Sequence, residues 1–262
     1  MQRTDIWSEL SWRHPVWELV RYFRALRGEK SKQLFLKELS GNKTLSLDHK
    51  TLPIQNEVID LLFQYLDLEG ELFQVAASDL RTEEDALAYC ERSGFSVGKT
   101  KTQSKDHHQS SKAMIASVTG IAQKVCQEKG LEFDPDPQNR CVWLNDESLH
   151  ITSRNLDGAI PGLANPIVIW EIKEYWGKTK GGSKMSDAVY ECQLVGRELR
   201  EYEEKCGISV IHAVFLDGKE QWSHRKSDLR RFIDLTYQGL VDHLIIGSQV
   251  EDEWEALLNK NI

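Results

Sequence analysis

The first third of the chain carries hydrophobic residues at helical spacing. Pro15 stands at the start of a segment with an incomplete apolar stripe, which predicts a helix over 16–27. Residue Thr82, followed by three acidic residues, has the pattern of a helix start. The clearest apolar stripe lies within 54–68 and consists of Ile54, Val58, Leu61, Leu62, Tyr65 and Leu66. We therefore predict that residues 1–95 are mainly helical.

Two other features of this N-terminal region have alternative interpretations. The apolar segments 34–39 and 43–47 flank a Gly-Asn pair, which predicts a β-hairpin. Three tryptophans lie close together in the sequence, and they could stack on nucleic-acid bases or belong to a packed core or dimer contact. The core or dimer contact is favoured, because large aromatic rings are most often buried. These residues are Trp7, Trp12 and Trp17.

From residue 113 onward, helical patterns alternate with short apolar runs rich in β-branched residues. An amphipathic helix over 113–129 is followed by two short strands and then by a buried strand over 167–172. Further elements are a helix to about 206, a strand over 208–216, a helix over 227–237, a strand over 240–247 and a helix over 251–259. A strand, a helix and a second strand in succession are typical of a parallel pair. The pattern predicts an α/β fold with a mixed central sheet flanked by helices.

A polar segment separates these two regions. Residues 96–112 have little apolar content and no periodicity, and Lys99, Lys101 and Lys105 make the segment basic. We predict a basic flexible linker that either contacts phosphates or has no role beyond connection. The predicted organisation is a helical region over 1–95, this linker, and an α/β domain over 113–262.

Composition narrows the class of protein. The chain has 262 residues, of which 40% are hydrophobic and 28% charged, as in ordinary globular proteins. It has no apolar run of about 20 residues and no signal-peptide pattern, so we expect no membrane association. The five cysteines are scattered, which argues against zinc and disulfide frameworks and favours a cytoplasmic location. A net charge of −8 argues against a general nucleic-acid coat protein but allows a local basic surface.

Charged residues at the end of the strand predicted over 167–172 are the strongest candidates for chemistry. Glu171 and Lys173 lie two residues apart, so they project from one face with Cα atoms about 6.5–7 Å apart. Asp157 ends the preceding extended segment, and a hairpin would return it beside Glu171. Carboxylate oxygens suit Mg²⁺, and a neighbouring lysine can orient a metal-bound water. The competing interpretation is a simple ion pair between Glu171 and Lys173.

Asp157 followed by Glu171-x-Lys173 on an apolar strand resembles the signature of the PD-(D/E)XK nucleases, which include many type II restriction endonucleases. Here Leu156 stands where the signature has proline. The resemblance extends over the order of elements in 113–247 and implies a restriction-endonuclease-like core. It also implies that Asp157, Glu171 and the backbone carbonyl of Ile172 hold Mg²⁺, for which Mn²⁺ can substitute. Lys173 would position and activate the attacking water.

The family often has a glutamine on the helix after this strand, and Gln193 matches that position. Gln193 would orient water or phosphate, although a solvent-exposed helix-edge glutamine is the alternative. Arg197 lies four residues further on the same side. The Gly-rich segment 176–184 carries lysines suited to nucleic-acid phosphates, unless it is only a surface loop. The predicted nucleic-acid-binding residues are Lys178, Lys180, Lys184 and Arg197.

The resemblance implies a Mg²⁺-dependent endonuclease that hydrolyses phosphodiester bonds of double-stranded DNA, in restriction or anti-phage defence. Expected partners are DNA and either a second copy of the chain or another subunit of a defence system. One alternative is a catalytically silent nucleic-acid-binding or assembly subunit that keeps the nuclease fold. A second alternative is a nuclease that acts on RNA.

Overall fold

The N-terminal region is mainly helical, as its hydrophobic pattern predicts. The computed structural model describes residues 1–99, 110–177 and 183–262. Helix α5 begins with a capping box in which Thr82 and Asp85 exchange hydrogen bonds. The helices are α1 (Asp5–Glu9), α2 (Val16–Ala25), α3 (Glu29–Asn42), α4 (Asn56–Asp79) and α5 (Glu83–Arg92).

The hairpin predicted around Gly41-Asn42 is wrong. Residues Glu29–Asn42 form α3, which buries Phe35 and Leu39 at a spacing of one helical turn. The helix ends at Lys43, which takes a left-handed conformation with φ 57°. The hairpin lies one element later, between β1 (Thr44–Leu47) and β2 (Lys50–Pro53). The Gly-Asn pair therefore forms the last two residues of α3 and does not form a hairpin turn.

The second half of the chain alternates helices and strands. Its helices are α6 (Ala113–Lys129), α7 (Lys184–Cys206), α8 (Lys219–His224), α9 (Lys226–Gln238) and α10 (Glu253–Asn261), with a 3-10 helix over Gly247–Glu251. Its strands are β3 (Val142–Leu144), β4 (Leu149–Ile151), β5 (Gly158–Ile160), β6 (Val168–Glu174), β7 (Ile211–Asp217) and β8 (His243–Ile246). Strands β3 and β4 form a separate antiparallel hairpin.

A four-stranded mixed sheet in the order β5-β6-β7-β8 lies at the centre of this half. Strand β5 is antiparallel to β6, whereas β6, β7 and β8 are parallel. One face of the sheet packs against α7 and α9, and the other packs against α6 and α10. The predicted mixed α/β architecture is confirmed: the crossover helices between the parallel strands cover one face, and α6 and α10 cover the other.

The N-terminal helices form a further layer over α7 and α9. A single buried apolar cluster contains residues of α1, α2 and α4 together with residues of α7 and α9 and of the sheet. Trp7 and Trp17 are buried there, and their rings contact Tyr65 at centroid distances of 5.4 Å each. The interpretation of these two tryptophans as core residues is confirmed, and their burial leaves no exposed face for base stacking.

Helices in the described part of the chain are all too short or too polar to cross a lipid bilayer.

Candidate active site

Strand β6 places its charged residues on two opposite faces of the sheet. It is a central strand, paired with β5 on one side and β7 on the other. Trp170 and Ile172 face the layer of α6, while Ile169 faces α7. Because side chains alternate along a strand, Glu171 and Lys173 share the α7 face and Glu174 lies on the opposite face.

Glu171 is buried and bound by two cations. Its side chain is 1% exposed. The Oε2 atom accepts hydrogen bonds from Lys173 Nζ at 3.0 Å and from Arg154 Nη1 at 2.5 Å. The ion pair that the sequence offered as an alternative therefore forms, with a second cation added. Two partners are consistent with the large cost of burying a lone carboxylate.

Glu191 of α7 completes a ring of four charges. Its Oε2 atom lies 2.9 Å from Lys173 Nζ and 2.6 Å from Arg154 Nη1. Each of the two cations thus contacts the same two carboxylate oxygens. Lys173 and Glu171 are buried, whereas Arg154 is 31% and Glu191 41% exposed. The ring opens to solvent on its Arg154 and Glu191 side.

Neighbouring charges determine the protonation states of Glu171 and Lys173 in this ring. Burial opposes ionisation of Glu171, but Lys173, His212 and Arg154 together outweigh it and hold the pKa of Glu171 well below its usual value. Burial disfavours the charged form of Lys173 as well, yet Glu171 raises the pKa of Lys173 above its usual value. Lys173 therefore carries its proton at neutral pH in this arrangement.

His212 of β7 lies beneath Glu171. Its Nδ1 atom is 3.0 Å from the carbonyl oxygen of Leu240, so Nδ1 carries a proton, since a carbonyl oxygen only accepts. Its Nε2 atom lies 3.4 Å from Glu171 Oε1, outside hydrogen-bond geometry. Within the described ranges, both of these buried atoms lack a hydrogen-bond partner. The second oxygen of Glu171 is therefore left with spare acceptor capacity.

Asp157 lies beside this ring, immediately before β5. Gly158 pairs with Trp170, so the same antiparallel register carried one residue further puts Asp157 opposite Glu171. The Asp157 amide donates to Trp170 O at 3.1 Å, and its Oδ2 accepts from Ile172 N at 2.7 Å. Although Asp157 is an exposed residue, desolvation of its carboxyl group raises its pKa, outweighing the Ile172 hydrogen bond and the Lys173 charge.

Glu174 occupies the opposite face of β6, next to the start of α6. Its Oε2 atom accepts hydrogen bonds from Met114 N at 2.8 Å and Trp176 Nε1 at 3.1 Å. Burial raises the pKa of Glu174 to about 7, against the lowering effect of these donors. This carboxyl group is therefore partly protonated near neutral pH and anchors the end of β6 to α6.

A long groove runs past these residues. A cleft of about 550 Å³ is lined by Arg154, Asp157, Lys173 and Glu191. A second cleft of about 710 Å³ lies along α6. The two clefts are continuous, because both are lined by Lys112, Ile115, Asp157 and Ile172. Asp157 thus lies where the two clefts meet.

The structure places the remaining predicted site residues in different locations. Lys184 lines the 550 Å³ cleft, with Nζ 5.6 Å from the Tyr175 ring centroid. Gln193 instead lines a cleft of about 420 Å³ next to α2 and α9. Arg197 packs over the Trp12 ring at 5.9 Å. Lys178 and Lys180 lie outside the described residues. Gln193 and Arg197 are therefore not brought to the charged ring.

Three residues of the site had no role in the sequence-based prediction. They are Arg154, Glu191 and His212. Glu191 and Gln193 both flank the buried Cys192, and only tertiary packing decides which flank of α7 faces β6. His212 could have been suspected, because a polar residue inside an apolar strand requires a partner.

The carboxylate oxygens of the site are of the type that binds a hard divalent cation, but their present positions do not form a binding group for one. The carboxylates of Asp157 and Glu171 are the type of ligand that Mg²⁺ takes, and Glu171 Oε1 has unused acceptor capacity. Among residues 1–99, 110–177 and 183–262, no three His, Cys, Asp or Glu side chains form a metal-binding group. Glu171 and Glu191 do converge, but on Lys173 and Arg154.

The fold and the site together define an α/β protein with a mixed sheet and a carboxylate–lysine cluster at the end of its central strand. The chain belongs to the family described as "Domain of unknown function (DUF7687)", which matches residues 78–261. The match includes α5 and every element of the sheet and its flanking helices. Neither the curated proteins nor the solved structures contain a match to the chain.

Proposed function

We propose that this protein is a divalent-cation-dependent endonuclease that hydrolyses phosphodiester bonds of DNA. One observation carries the proposal: Asp157, the residue before β5, lies opposite Glu171 of β6, with Lys173 on the Glu171 face, and all three line or adjoin one cleft. Two carboxylates and a lysine in this relation are the residues that the sequence resemblance implies for nucleases. Their proximity also arises from strand pairing and not from a chance surface cluster.

The order of elements supports the same proposal. Helix α6 precedes β5 and β6, and α7 then crosses to β7, which is parallel to β6. This order agrees with the restriction-endonuclease-like core that the resemblance implies. The fold alone does not define an activity, so the charged residues carry more of the argument than the topology does.

Asp157, Glu171 and the backbone carbonyl of Ile172 would hold Mg²⁺ or Mn²⁺. A bound divalent cation supplies charge neutralisation at the scissile phosphate and at the leaving oxygen. Lys173 lies on the face of Glu171, with Nζ 3.0 Å from Glu171 Oε2. Its proposed role is to position and activate the attacking water and to stabilise developing negative charge.

Double-stranded DNA is the substrate that we propose, with a role in restriction or anti-phage defence and a cytoplasmic location. The groove offers Lys112, Lys184 and Arg154 as cations that can contact phosphates. A second copy of the chain or another defence-system subunit remains our expectation for a protein partner. These assignments rest on the resemblance and on the groove.

Incubation of the protein with supercoiled plasmid, single-stranded DNA and RNA, each with Mg²⁺ or with EDTA, tests this function. We expect cleavage of plasmid in Mg²⁺ and none in EDTA. The exposed Asp146 provides a matched control: Asp157→Asn should be inactive and Asp146→Asn active. Preferential Mg²⁺-dependent cleavage of RNA would show that RNA, and not DNA, is the substrate. If no polymer is cleaved, the proposed nuclease activity is refuted.

A catalytically silent nucleic-acid-binding or assembly subunit is the second candidate. The observation that favours it is the pairing of Glu171 Oε2 with both Lys173 and Arg154, which neutralises this carboxylate within the protein. Such a protein would bind DNA in the same groove equally well with Mg²⁺ or EDTA and would leave the DNA intact.

A further inference from the structure

The ring of Glu171, Lys173, Glu191 and Arg154 is electrically balanced as it stands. Two carboxylates face two cations, with four contacts of 2.5 to 3.0 Å between them. With Asp157 counted as a third carboxylate, a divalent cation that entered beside both resident cations would leave an excess of one positive charge in a partly buried site. Such an excess is unfavourable at these distances, so one of the resident cations must leave.

Arg154 is the cation that can leave. Lys173 is 7% exposed and lies on the central strand, whereas Arg154 is 31% exposed. Arg154 belongs to the irregular segment between β4 and β5. Its side chain can therefore move into the groove without disturbing the sheet, and the guanidinium would remain solvated there.

We propose that Arg154 occupies the position of the divalent cation between Glu171 and Glu191, is displaced when that cation binds, and then contacts a substrate phosphate. This inference rests on the proposed function and identifies two further residues of the same site. Glu191 becomes a third carboxylate of the cation site once Arg154 has left. A guanidinium suits the phosphate contact, because its planar donors match phosphate oxygens in pairs.

The proposal explains why three carboxylates do not form a metal-binding group in this structure. Arg154 Nη1 lies within 2.6 Å of the carboxylate oxygens of both Glu171 and Glu191, where a metal ion would be expected to lie. Asp157 meanwhile is bonded to the Ile172 amide on the adjacent strand. Without Arg154, Glu171 Oε2 and Glu191 Oε2 would each keep only the contact with Lys173, and each would have room for a divalent cation beside Asp157.

Titration of the full-length protein with Mn²⁺, followed by the electron paramagnetic resonance of free Mn²⁺, tests the inference without any cleavage assay. Arg154→Gln should bind Mn²⁺ about tenfold more tightly than the wild type, because a competing cation is gone. Arg231→Gln is the matched control, since Arg231 is 25% exposed and paired with Asp228 away from the groove. That control should leave the Mn²⁺ affinity unchanged.

Glu191→Gln tests whether Glu191 is a third carboxylate of the cation site. This variant gives a result even if Arg154→Gln does not fold. It should weaken Mn²⁺ binding by about tenfold, whereas Glu201→Gln, an exposed change on the same helix, should have no effect. DNA affinity measured with Ca²⁺ should fall in Arg154→Gln and not in Arg231→Gln. A purely structural ion pair would change thermal stability in these variants and leave both affinities unaltered.

The outcomes separate this inference from the proposed function. Wild-type Mn²⁺ binding that Asp157→Asn removes, with no tightening in Arg154→Gln, would overturn the role of Arg154 alone. An absence of Mn²⁺ binding in both the wild type and Arg154→Gln would overturn the proposed function as well. Binding in Arg154→Gln but not in the wild type would support Arg154 as the occupant.

Discussion

At the scale of single residues, burial decides what each carboxylate does. Asp157 is exposed and bonded to a backbone amide, whereas Glu171 is buried and held by Lys173 and Arg154. Replacing these two acids should therefore have the same effect on cleavage but different effects on stability. Loss of the Glu171 charge would leave two cations without a buried partner, whereas loss of the Asp157 charge would not.

We predict that Asp157→Asn lowers the cleavage rate by about 10³-fold and changes the free energy of unfolding by less than about 1 kcal/mol. Desolvation already disfavours ionised Asp157, and Asn keeps an acceptor for the Ile172 amide. Plasmid cleavage rates and urea denaturation measure the two effects. Retention of wild-type cleavage would remove Asp157 from the site.

Glu171→Gln should lower cleavage equally and also destabilise the protein by about 3 kcal/mol, because Lys173 and Arg154 lose their buried counter-charge. Urea denaturation of this variant beside Asp157→Asn measures the difference. Equal stabilities of the two variants would contradict the assignment of Glu171 as the electrostatic centre of the ring.

Asp157, Glu171 and Lys173 could be grouped from the sequence because strand alternation and a hairpin are local rules. The position of Glu191 could not, because Glu191 and Gln193 flank Cys192 symmetrically. The sequence offers no signal for the rotation of α7 about its axis relative to β6. The position of Arg154 could not be predicted either, because an irregular segment has no periodicity that indicates where its side chains point.

At the scale of elements, the sequence predicted some elements with their bounds, one with too short a range and one of the wrong type. Helix α6 lies over Ala113–Lys129 as predicted, with Gly130 as its left-handed cap. Helix α4 continues to Asp79, well beyond the predicted 54–68. The stretch containing Leu34 and Leu39 formed a helix, because a short apolar run fits both periods until its packing partner is known.

The contact between the end of β6 and the start of α6 should make stability depend on pH through Glu174. Its pKa in the folded protein is about 7, above its ordinary value of 4.5. The folded protein therefore binds a proton between these values that the unfolded chain has lost, so stability falls as pH rises through this window. The loss is on the order of 2–3 kcal/mol.

Glu174→Gln removes this titration and keeps an acceptor for Met114 and Trp176. We expect the variant to be more stable than the wild type at pH 8 and to approach it at pH 5. Urea denaturation at both pH values measures the difference in the free energy of unfolding between the two proteins. Groups that titrate in both proteins, such as Asp217, cancel in this difference. Parallel pH profiles of the two proteins would contradict this assignment.

The two basic segments should contribute unequally to nucleic-acid binding. We predict that replacing Lys178, Lys180 and Lys184 by Gln weakens DNA binding more than replacing Lys99, Lys101 and Lys105. Lys184 lines the groove beside the charged ring, while Lys178 and Lys180 precede it in the same Gly-rich segment of the sequence. Each lost phosphate contact should reduce the slope of log affinity against log salt by about 0.9. Anisotropy titrations over a salt series measure both slopes, and equal losses would place the substrate elsewhere.

At the scale of the whole molecule, the N-terminal helices and the α/β layers share one apolar cluster. The ion pairs also cross between them: Arg24 of α2 contacts Glu69 of α4 and Asp234 of α9. The family match begins at residue 78, within the region that the sequence assigned to the helical segment. Contacts between residues far apart in the sequence cannot be predicted from a local hydrophobic pattern, so the packing of the N-terminal helices against the α/β layers could not be predicted.

We predict that the chain unfolds in one cooperative transition. Far-UV circular dichroism reports on all helices, while tryptophan fluorescence reports on Trp7 and Trp17 in the N-terminal layer and on Trp170 in the sheet. Both signals should give the same midpoint in urea, since the shared cluster couples the layers. Two separated transitions would show that the N-terminal layer folds independently.

The central claim is that Lys173 takes part in catalysis and is more than one member of an ion pair. Replacement by Met keeps the apolar stem of the side chain and removes the charge. Loss of the buried charge should lower the free energy of unfolding by about 1–3 kcal/mol, because Glu171 and Glu191 both lose a partner. The assay temperature must therefore lie below the melting transition of the variant.

The decisive measurement is the Mg²⁺-dependent cleavage of supercoiled plasmid by wild-type protein and by Lys173→Met, both shown to be folded by thermal melts. We predict cleavage by the wild type and a loss of about 10³-fold or more in the folded variant, with Mg²⁺ binding retained. Equal cleavage by the two proteins, or a folded wild type that cuts no nucleic acid, would contradict the account.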